Sequence, residues 1–248
     1  MRVRARVAYH GADFRGFAEN LGVRSIAGDL NKAISLVLGK PISVTCAGRT
    51  DKGVHAIGQV VSIDVPDGTS LERLASTVNS QCGPSVLFTD LKFVDQEFDA
   101  RFSAVSRTYS YRILNSPDLD PFLVDRAWHI PIKLDVDSMQ LASKHLIGEH
   151  DFSSFCKKPK LKSGDTASLV RYVNSATWSS PNENDLFFEI SASSFCHLMV
   201  RSIVGTLELV GLGKISHDYL PELISLGDRQ AAGEIAPPHG LILISVEY

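Results

Sequence analysis

Four ionisable residues, Arg49, Asp51, Lys52 and His55, fall within seven positions, in the run Cys46-Ala47-Gly48-Arg49-Thr50-Asp51-Lys52-Gly53-Val54-His55-Ala56. Gly48 and Gly53 flank the centre of this run. Glycine lets a backbone turn tightly and approach a ligand closely. Such a concentration of ionisable groups on an anchored loop fits a site better than a connector. A solvated hairpin loop with an Arg–Asp surface pair would carry the same residues, and one short loop does not separate the two readings.

Arg201 is the second candidate. It lies in a stretch, His197 to Leu212, whose apolar residues Leu198, Met199, Val200, Ile203, Val204, Leu207, Leu209 and Val210 cover nearly the whole circumference of a helix. A helix apolar all round is buried, and a buried guanidinium must be paired. A carboxylate matches the guanidinium fork, and Asp51 is an attractive partner. Backbone carbonyls at a helix or strand end are the alternative.

Two further groups point toward nucleic acid. In Arg107-Thr108-Tyr109-Ser110-Tyr111-Arg112, the period of a strand puts Tyr109 and Tyr111 on one face and Thr108 and Arg112 on the other. An aromatic beside arginines can stack a base, although aromatics on strands are more often core. Lys157, Lys158, Lys160 and Lys162 could meet phosphates, or could line a solvated loop.

The surrounding pattern predicts what positions these groups. Val3, Ala5, Val7 and Tyr9 alternate with Arg2, Arg4, Arg6 and Ala8, as in a half-buried strand. Ser25 caps a helix with the stripe Ile26, Leu30, Ala33, Ile34, Val37 and Leu38, and Gly39 ends it. Strands are expected at 42–46, 59–65, 86–94, 108–114, 169–178, 186–192 and 241–246. Helices are expected at 70–80, 134–147, 197–210 and 218–226. The basic, aperiodic stretch from Lys157 to Gly164 reads as an exposed loop. Strands joined by hairpin-like turns with helices between them indicate an α+β fold with a largely antiparallel sheet. A soft boundary near 101–107 divides 1–104 from 105–248 as two lobes of one catalytic unit.

With 248 residues, 44% hydrophobic and 21% charged, the chain has the composition of an ordinary globular protein with a sizeable core. No apolar run approaches the roughly 20 residues of a membrane span. The basic start Met1 to Val7 lacks the apolar stretch of a secretory signal, so a cytoplasmic location is expected. Cys46, Cys82, Cys156 and Cys196 form no C-x-x-C pair, and four reduced thiols are expected, with neither zinc site nor disulfide framework. The net charge of -3 argues mildly against nucleic-acid binding, yet a basic cleft on an acidic body would suffice.

The run Cys46 to Ala56 closely resembles the active-site segment of the TruA family of tRNA pseudouridine synthases, which act on tRNA positions 38 to 40. Further blocks resemble that family in the same order: Phe98-Asp99-Ala100-Arg101-Phe102-Ser103-Ala104 with Arg107-Thr108-Tyr109, then Asp151-Phe152-Ser153-Ser154-Phe155-Cys156. They continue through Phe195 to Gly205 and Ala236-Pro237-Pro238-His239-Gly240-Leu241, and close with Val246-Glu247-Tyr248. The resemblance implies that Asp51 attacks the uridine, that Tyr109 stacks on the flipped base, that Arg201 pairs with Asp51, and that Arg49 holds the RNA. Lys52, His55, Arg107, Lys157, Lys158 and Lys160 become further expected tRNA contacts. It also implies no metal, no organic cofactor, a homodimer crossed by tRNA, and two α+β lobes around a continuous antiparallel sheet.

The chemistry agrees. A base cannot react while stacked, so it must be extruded and held against an aromatic ring. The acidic net charge is tolerable if Arg49, Lys52, Arg101, Arg107, Arg112 and Arg201 converge on one cleft. Two departures stand out. Family members usually show Gly-Trp-Gln where this chain has Gly16-Phe17-Ala18, and Gly28 occupies the first helix at a cost of up to about 1 kcal/mol. One rival reading is a non-catalytic RNA-binding protein of the same fold. Another is an aspartyl phosphotransferase, which the cationic neighbours of Asp51 disfavour because such enzymes need a bound magnesium ion.

Overall fold

The computed structural model describes residues 1–158 and 167–248. Within them the chain forms β1 (Arg2–Tyr9), α1 (Ile26–Leu38), β2 (Thr45–Cys46), β3 (His55–Asp64), α2 (Leu71–Cys82), β4 (Val86–Val94) and β5 (Ser106–Leu114). It continues with β6 (Trp128–His129), α3 (Val136–Lys144), β7 (Gly148–Asp151), β8 (Val170–Ser179) and β9 (Asp185–Ala192). The last elements are α4 (Met199–Gly211), α5 (Leu220–Leu226) and β10 (Leu241–Glu247). The fold is α+β, as expected: β1 pairs antiparallel with β3 and β4, β2 with β3, β9 with β5 and β8, and β8 with β7, while β10 on β3 and β6 on β5 are parallel.

The chain divides into two units, Met1–Val105 with Ile242–Tyr248, and Ser106–Leu241. In the first, the strand order is β4-β1-β3-β10. Val3, Ala5 and Val7 of β1 are fully buried, together with Ile26, Leu30 and Ile34 of α1 and Leu74 and Val78 of α2. The alternation seen in the sequence is therefore the alternation of core and outer face. β1 takes one edge of β3, so β2 and β10 share the other: β2 lies against Val61 and Ser62, and β10 against His55 and Ala56.

Ser25 caps α1 by accepting from the Gly28 N–H at 3.2 Å, and Gly39 follows the last turn. A Cβ on residue 28 would sit 2.9 Å from the capping Ser25 hydroxyl. Glycine there keeps the cap intact, which offsets its poor helix propensity. The strand expected over 42–46 contracts to Thr45–Cys46. Its preceding N–H groups are taken by α1 instead, Ile42 donating to Ser35 Oγ (2.8 Å) and Val44 to Asn31 Oδ1 (2.9 Å). These side chains satisfy the backbone that a neighbouring strand would otherwise serve.

In the second unit the strand order is β5-β9-β8-β7, with β6 beside β5. Tyr111, Ile113, Phe188, Ile190, Val173 and Ala176 form the buried strand face, covered by Met139 and Ala142 of α3 and by Ile203, Val204 and Leu207 of α4. The short strands β6 and β7 are additions to the sequence reading. The helix expected over 134–147 spans Val136–Lys144, because Asp135 caps it through the Ser138 N–H at 3.0 Å. The helix expected from His197 begins only at Met199, since Leu198 takes a left-handed conformation (φ 70°).

Candidate active site

The run singled out in the sequence leaves β2 and returns at the head of β3. Ala47 still pairs with β3, donating to Val60 O at 2.9 Å, before the chain departs. The Val54 N–H closes a turn on Asp51 O at 3.2 Å. Exposure alternates along the loop: Arg49 and Lys52 are exposed, Thr50 is buried, and Asp51 and Gly53 are half-buried. The loop thus presents its cations outward from a fixed base.

A second segment grips it. Phe17 donates its N–H to Thr50 O at 3.0 Å, and Gly11 donates to His55 Nδ1 at 3.0 Å. Gly16 has φ 101°, and a Cβ there would meet Thr50 O at 3.0 Å, so the close approach requires glycine. Phe17 is buried with its ring 6.1 Å from that of Tyr9. The departure at Gly16-Phe17-Ala18 thus keeps both a packing ring and the backbone hold on Thr50. His55 itself is only 7% exposed, with Nδ1 serving as an acceptor inside this junction. Burial pushes the Cys46 thiol up to about 11, with Arg49 and Arg101 pulling the other way, so it stays protonated and inert.

In the second unit, the Tyr109 ring is buried on β5 and meets Phe195 edge-on, centroids 5.1 Å apart. Arg107, two residues earlier on the same face of the strand, is 8% exposed and donates from Nη1 to Ser193 O at 2.7 Å. Arg112 pairs with Asp185 (Nη2 to Oδ1, 2.7 Å). The expected convergence of six cations therefore fails for Arg112, whose charge is spent on a β9 carboxylate that no local pattern linked to it. Arg49, Lys52 and Arg101 are exposed.

Arg201 is half-buried on α4, where it shares a face with Glu208 and Leu209. The helix is therefore not buried all round. Arg201 Nε donates to Ala236 O at 2.7 Å, while the Ala236 N–H returns to Arg201 O at 3.1 Å. Backbone carbonyl capture, the alternative reading, thus accounts for one guanidinium nitrogen. Gly205, one turn on, lets the 234–236 segment come this close: a Cβ there would collide with Glu234 O.

Lys157 and Lys158 are exposed, whereas Lys160 and Lys162 lie outside the described residues. Cys156 and Cys196, 40 residues apart in sequence, are brought side by side with Cα atoms 5.8 Å apart, and the Lys157 N–H donates to His197 O beside them. Only the fold brings them together, so no local spacing announced the pair. Gln59, a polar residue inside an apolar strand, is the functional candidate that sequence reasoning passed over; its side chain is fully buried against Gly48.

Among the described residues, no group of three or more His, Cys, Asp or Glu side chains is placed to hold a metal ion, and no helix is long and apolar enough to cross a membrane.

A family model described as tRNA pseudouridine synthase matches residues 142–248. The likeness extends over the whole chain. The tRNA pseudouridine synthase A of Methylacidiphilum infernorum (isolate V4) is 37% identical over 242 residues, 98% of this chain and 93% of that protein. The protein of the same name from Bacillus subtilis (strain 168) is 38% identical over 251 residues, 100% of this chain and 99% of the relative.

The chain belongs to the TruA family of tRNA pseudouridine synthases.

Members of this family are isomerases, and the antiparallel α+β architecture suits the assignment. Among solved structures, a Cbf5-Nop10-Gar1 complex aligns with 97% of this chain and 57% of that chain, at 10% identity and a TM-score of 0.38. That similarity is too loose to add to the fold read from the strands themselves.

Proposed function

We propose that this TruA-family enzyme converts uridine to pseudouridine at positions 38 to 40 of the tRNA anticodon stem-loop, with Asp51 as nucleophile. The observation that carries the reading is the Arg49-Thr50-Asp51 loop: its carboxylate is half-buried while the cations on either side face outward. Such a loop can meet a polyanion with Arg49 and Lys52 and still withhold its carboxylate from bulk water.

In this reading the target base leaves the stack and lies against Tyr109. Phe195 holds the edge of that ring. Asp51 adds to the uridine, and the bond from N1 to the sugar breaks. The base turns, its C5 bonds to the sugar carbon, the bond to Asp51 breaks and returns the free carboxylate, the C5 proton leaves and N1 regains one. Substrate and product are isomers, so the balance closes with no oxidant, reductant or second substrate. Splitting a hard glycosidic exchange into such steps is what a covalent nucleophile provides. Arg201 pairs with Asp51. Arg49, Lys52, Arg107, Lys157, Lys158 and Lys160 contact the tRNA; His55, from its buried position, braces the loop. The enzyme works in the cytoplasm as a homodimer.

The test compares tRNA pseudouridine content, mapped by position, after incubation with wild-type protein and Asp51→Ala. Product at 38 to 40 with the wild type alone is expected. Equal product from both proteins sinks the nucleophile assignment. Tight tRNA binding with no product from either favours a binding protein of the same fold.

A further inference from the structure

Thr50 sits between the RNA-facing Arg49 and the carboxylate-bearing Asp51, and its side chain turns inward. Its hydroxyl lies 2.7 Å from the Tyr9 hydroxyl in a buried contact. Gln59, fully buried on β3, extends the same network. Its Nε2 donates to Gly48 O at 2.6 Å and toward Tyr9 Oη at 3.5 Å. Its Oε1 accepts from the N–H groups of Gly48 (3.4 Å) and Val60 (3.2 Å).

The Gln59 amide therefore grips both backbone groups of Gly48, as a neighbouring strand would. This grip falls where β2 has ended and the loop has left the sheet. Either hydroxyl of the Tyr9–Thr50 pair can be the donor. A buried polar chain of this kind is costly when half-satisfied and rigid when complete. Here it joins three elements, β1, the loop and β3, on the side of the loop opposite Arg49. Meanwhile the Phe17 N–H fixes the Thr50 carbonyl. Thr50 is thus held at its side chain and its carbonyl, and Asp51 is the next residue.

We infer that Tyr9, Thr50 and Gln59 are positioning residues for the reaction: they fix the loop so that Asp51 meets the flipped base at bonding distance. None of the three touches substrate. The inference rests on the proposed pseudouridine synthase reading. It assigns Thr50 a task, and it explains why a glutamine interrupts the apolar strand.

The test uses the intact protein and single-turnover pseudouridine formation at saturating tRNA, with KM and thermal midpoint measured alongside. Tyr9→Phe removes one oxygen and keeps the packed ring. Thr50→Val removes the hydroxyl at nearly constant volume, and Thr50→Ser keeps it. Tyr9→Phe and Thr50→Val are expected to slow the bound-state step by roughly 10- to 100-fold while KM moves by less than about twofold. Thr50→Ser is expected to restore the wild-type rate. Gln59→Glu, which loses the donor to Gly48 O, is expected to behave like Tyr9→Phe.

A folded Tyr9→Phe protein as fast as wild type overturns the inference. So does a Thr50→Ser protein as slow as Thr50→Val, because then methyl packing and not the hydroxyl sets the rate. A Tyr9→Phe protein that fails to fold overturns it too, by showing the network to be purely structural. Wild-type and Asp51→Ala controls separate the two levels. If wild type makes no pseudouridine, the functional reading has failed and the inference falls with it. If wild type is active and Tyr9→Phe is equally active, only the positioning role has failed.

Discussion

The Phe195 ring meets Tyr109 edge-on, at 88° and 5.1 Å between centroids. The contact fixes the tilt of Tyr109 from the side of α4, because Phe195 lies just ahead of that helix. An edge-to-face pair contributes about 0.5–1.5 kcal/mol beyond its buried area. Tyr109→Ala is expected to weaken tRNA binding by roughly 1–3 kcal/mol, the scale of one stacked base, while Tyr109→Phe binds nearly as wild type. Phe195→Leu, which keeps bulk and loses the edge contact, should lower turnover more than affinity. Titration of labelled tRNA reads this directly, and equal affinity of Tyr109→Ala and Tyr109→Phe would dismiss stacking.

Gly205 carries a second prediction. A methyl group there meets the backbone oxygen of Glu234, in the segment whose Ala236 exchanges two hydrogen bonds with Arg201. Backbone cannot rotate out of the way as a side chain would. Gly205→Ala is therefore expected to destabilise the protein by about 1–3 kcal/mol despite the better helix propensity of alanine. Activity should fall as well, because Arg201 moves with Ala236. Urea unfolding measures the first effect, and a stability within about 0.5 kcal/mol of wild type would refute it.

His239 makes stability depend on acidity. Burial lowers its pKa from the ordinary value of 6.5, and Arg201 adds to the lowering against the opposing effects of Ala127 and Asp125. The folded state thus favours neutral imidazole. The stability this preserves is fully present above pH 6.5 and is lost as pH falls through the lower folded value. His239→Gln should flatten the fall in thermal midpoint on that acid side and leave the alkaline side unchanged. An identical acid slope in both proteins would exclude His239 as its source.

Local order was legible where one residue type decides the outcome. Ser25 and Gly39 bounded α1, and the alternation of β1 named its buried face. Asp51 stood out because charge and glycine crowd one loop. What the sequence hid depends on distant partners. The strand expected at 42–46 shrank because Asn31 and Ser35, a helix away, claim its N–H groups. Arg112 counted as an RNA-facing cation until β9 supplied Asp185. Gln59 is the instructive miss: a buried amide within an apolar strand demands partners, and that demand was visible before any partner was.

The first unit borrows its last strand from the far end of the described chain. Ile242 and Leu243 pair with His55 and Ala56, Val105 donates to Glu247 O, and Tyr248 reaches Ala100 O at 2.8 Å. A ribosome delivers that strand only after the whole of Ser106–Leu241 has been made. Until then, the edge of β3 beside the Asp51 loop stays unpaired at its head. Synthesis order therefore sets a timetable: the Asp51 loop acquires its final neighbour last, and a nascent chain passes most of its translation with that edge open to chaperones or to mispairing.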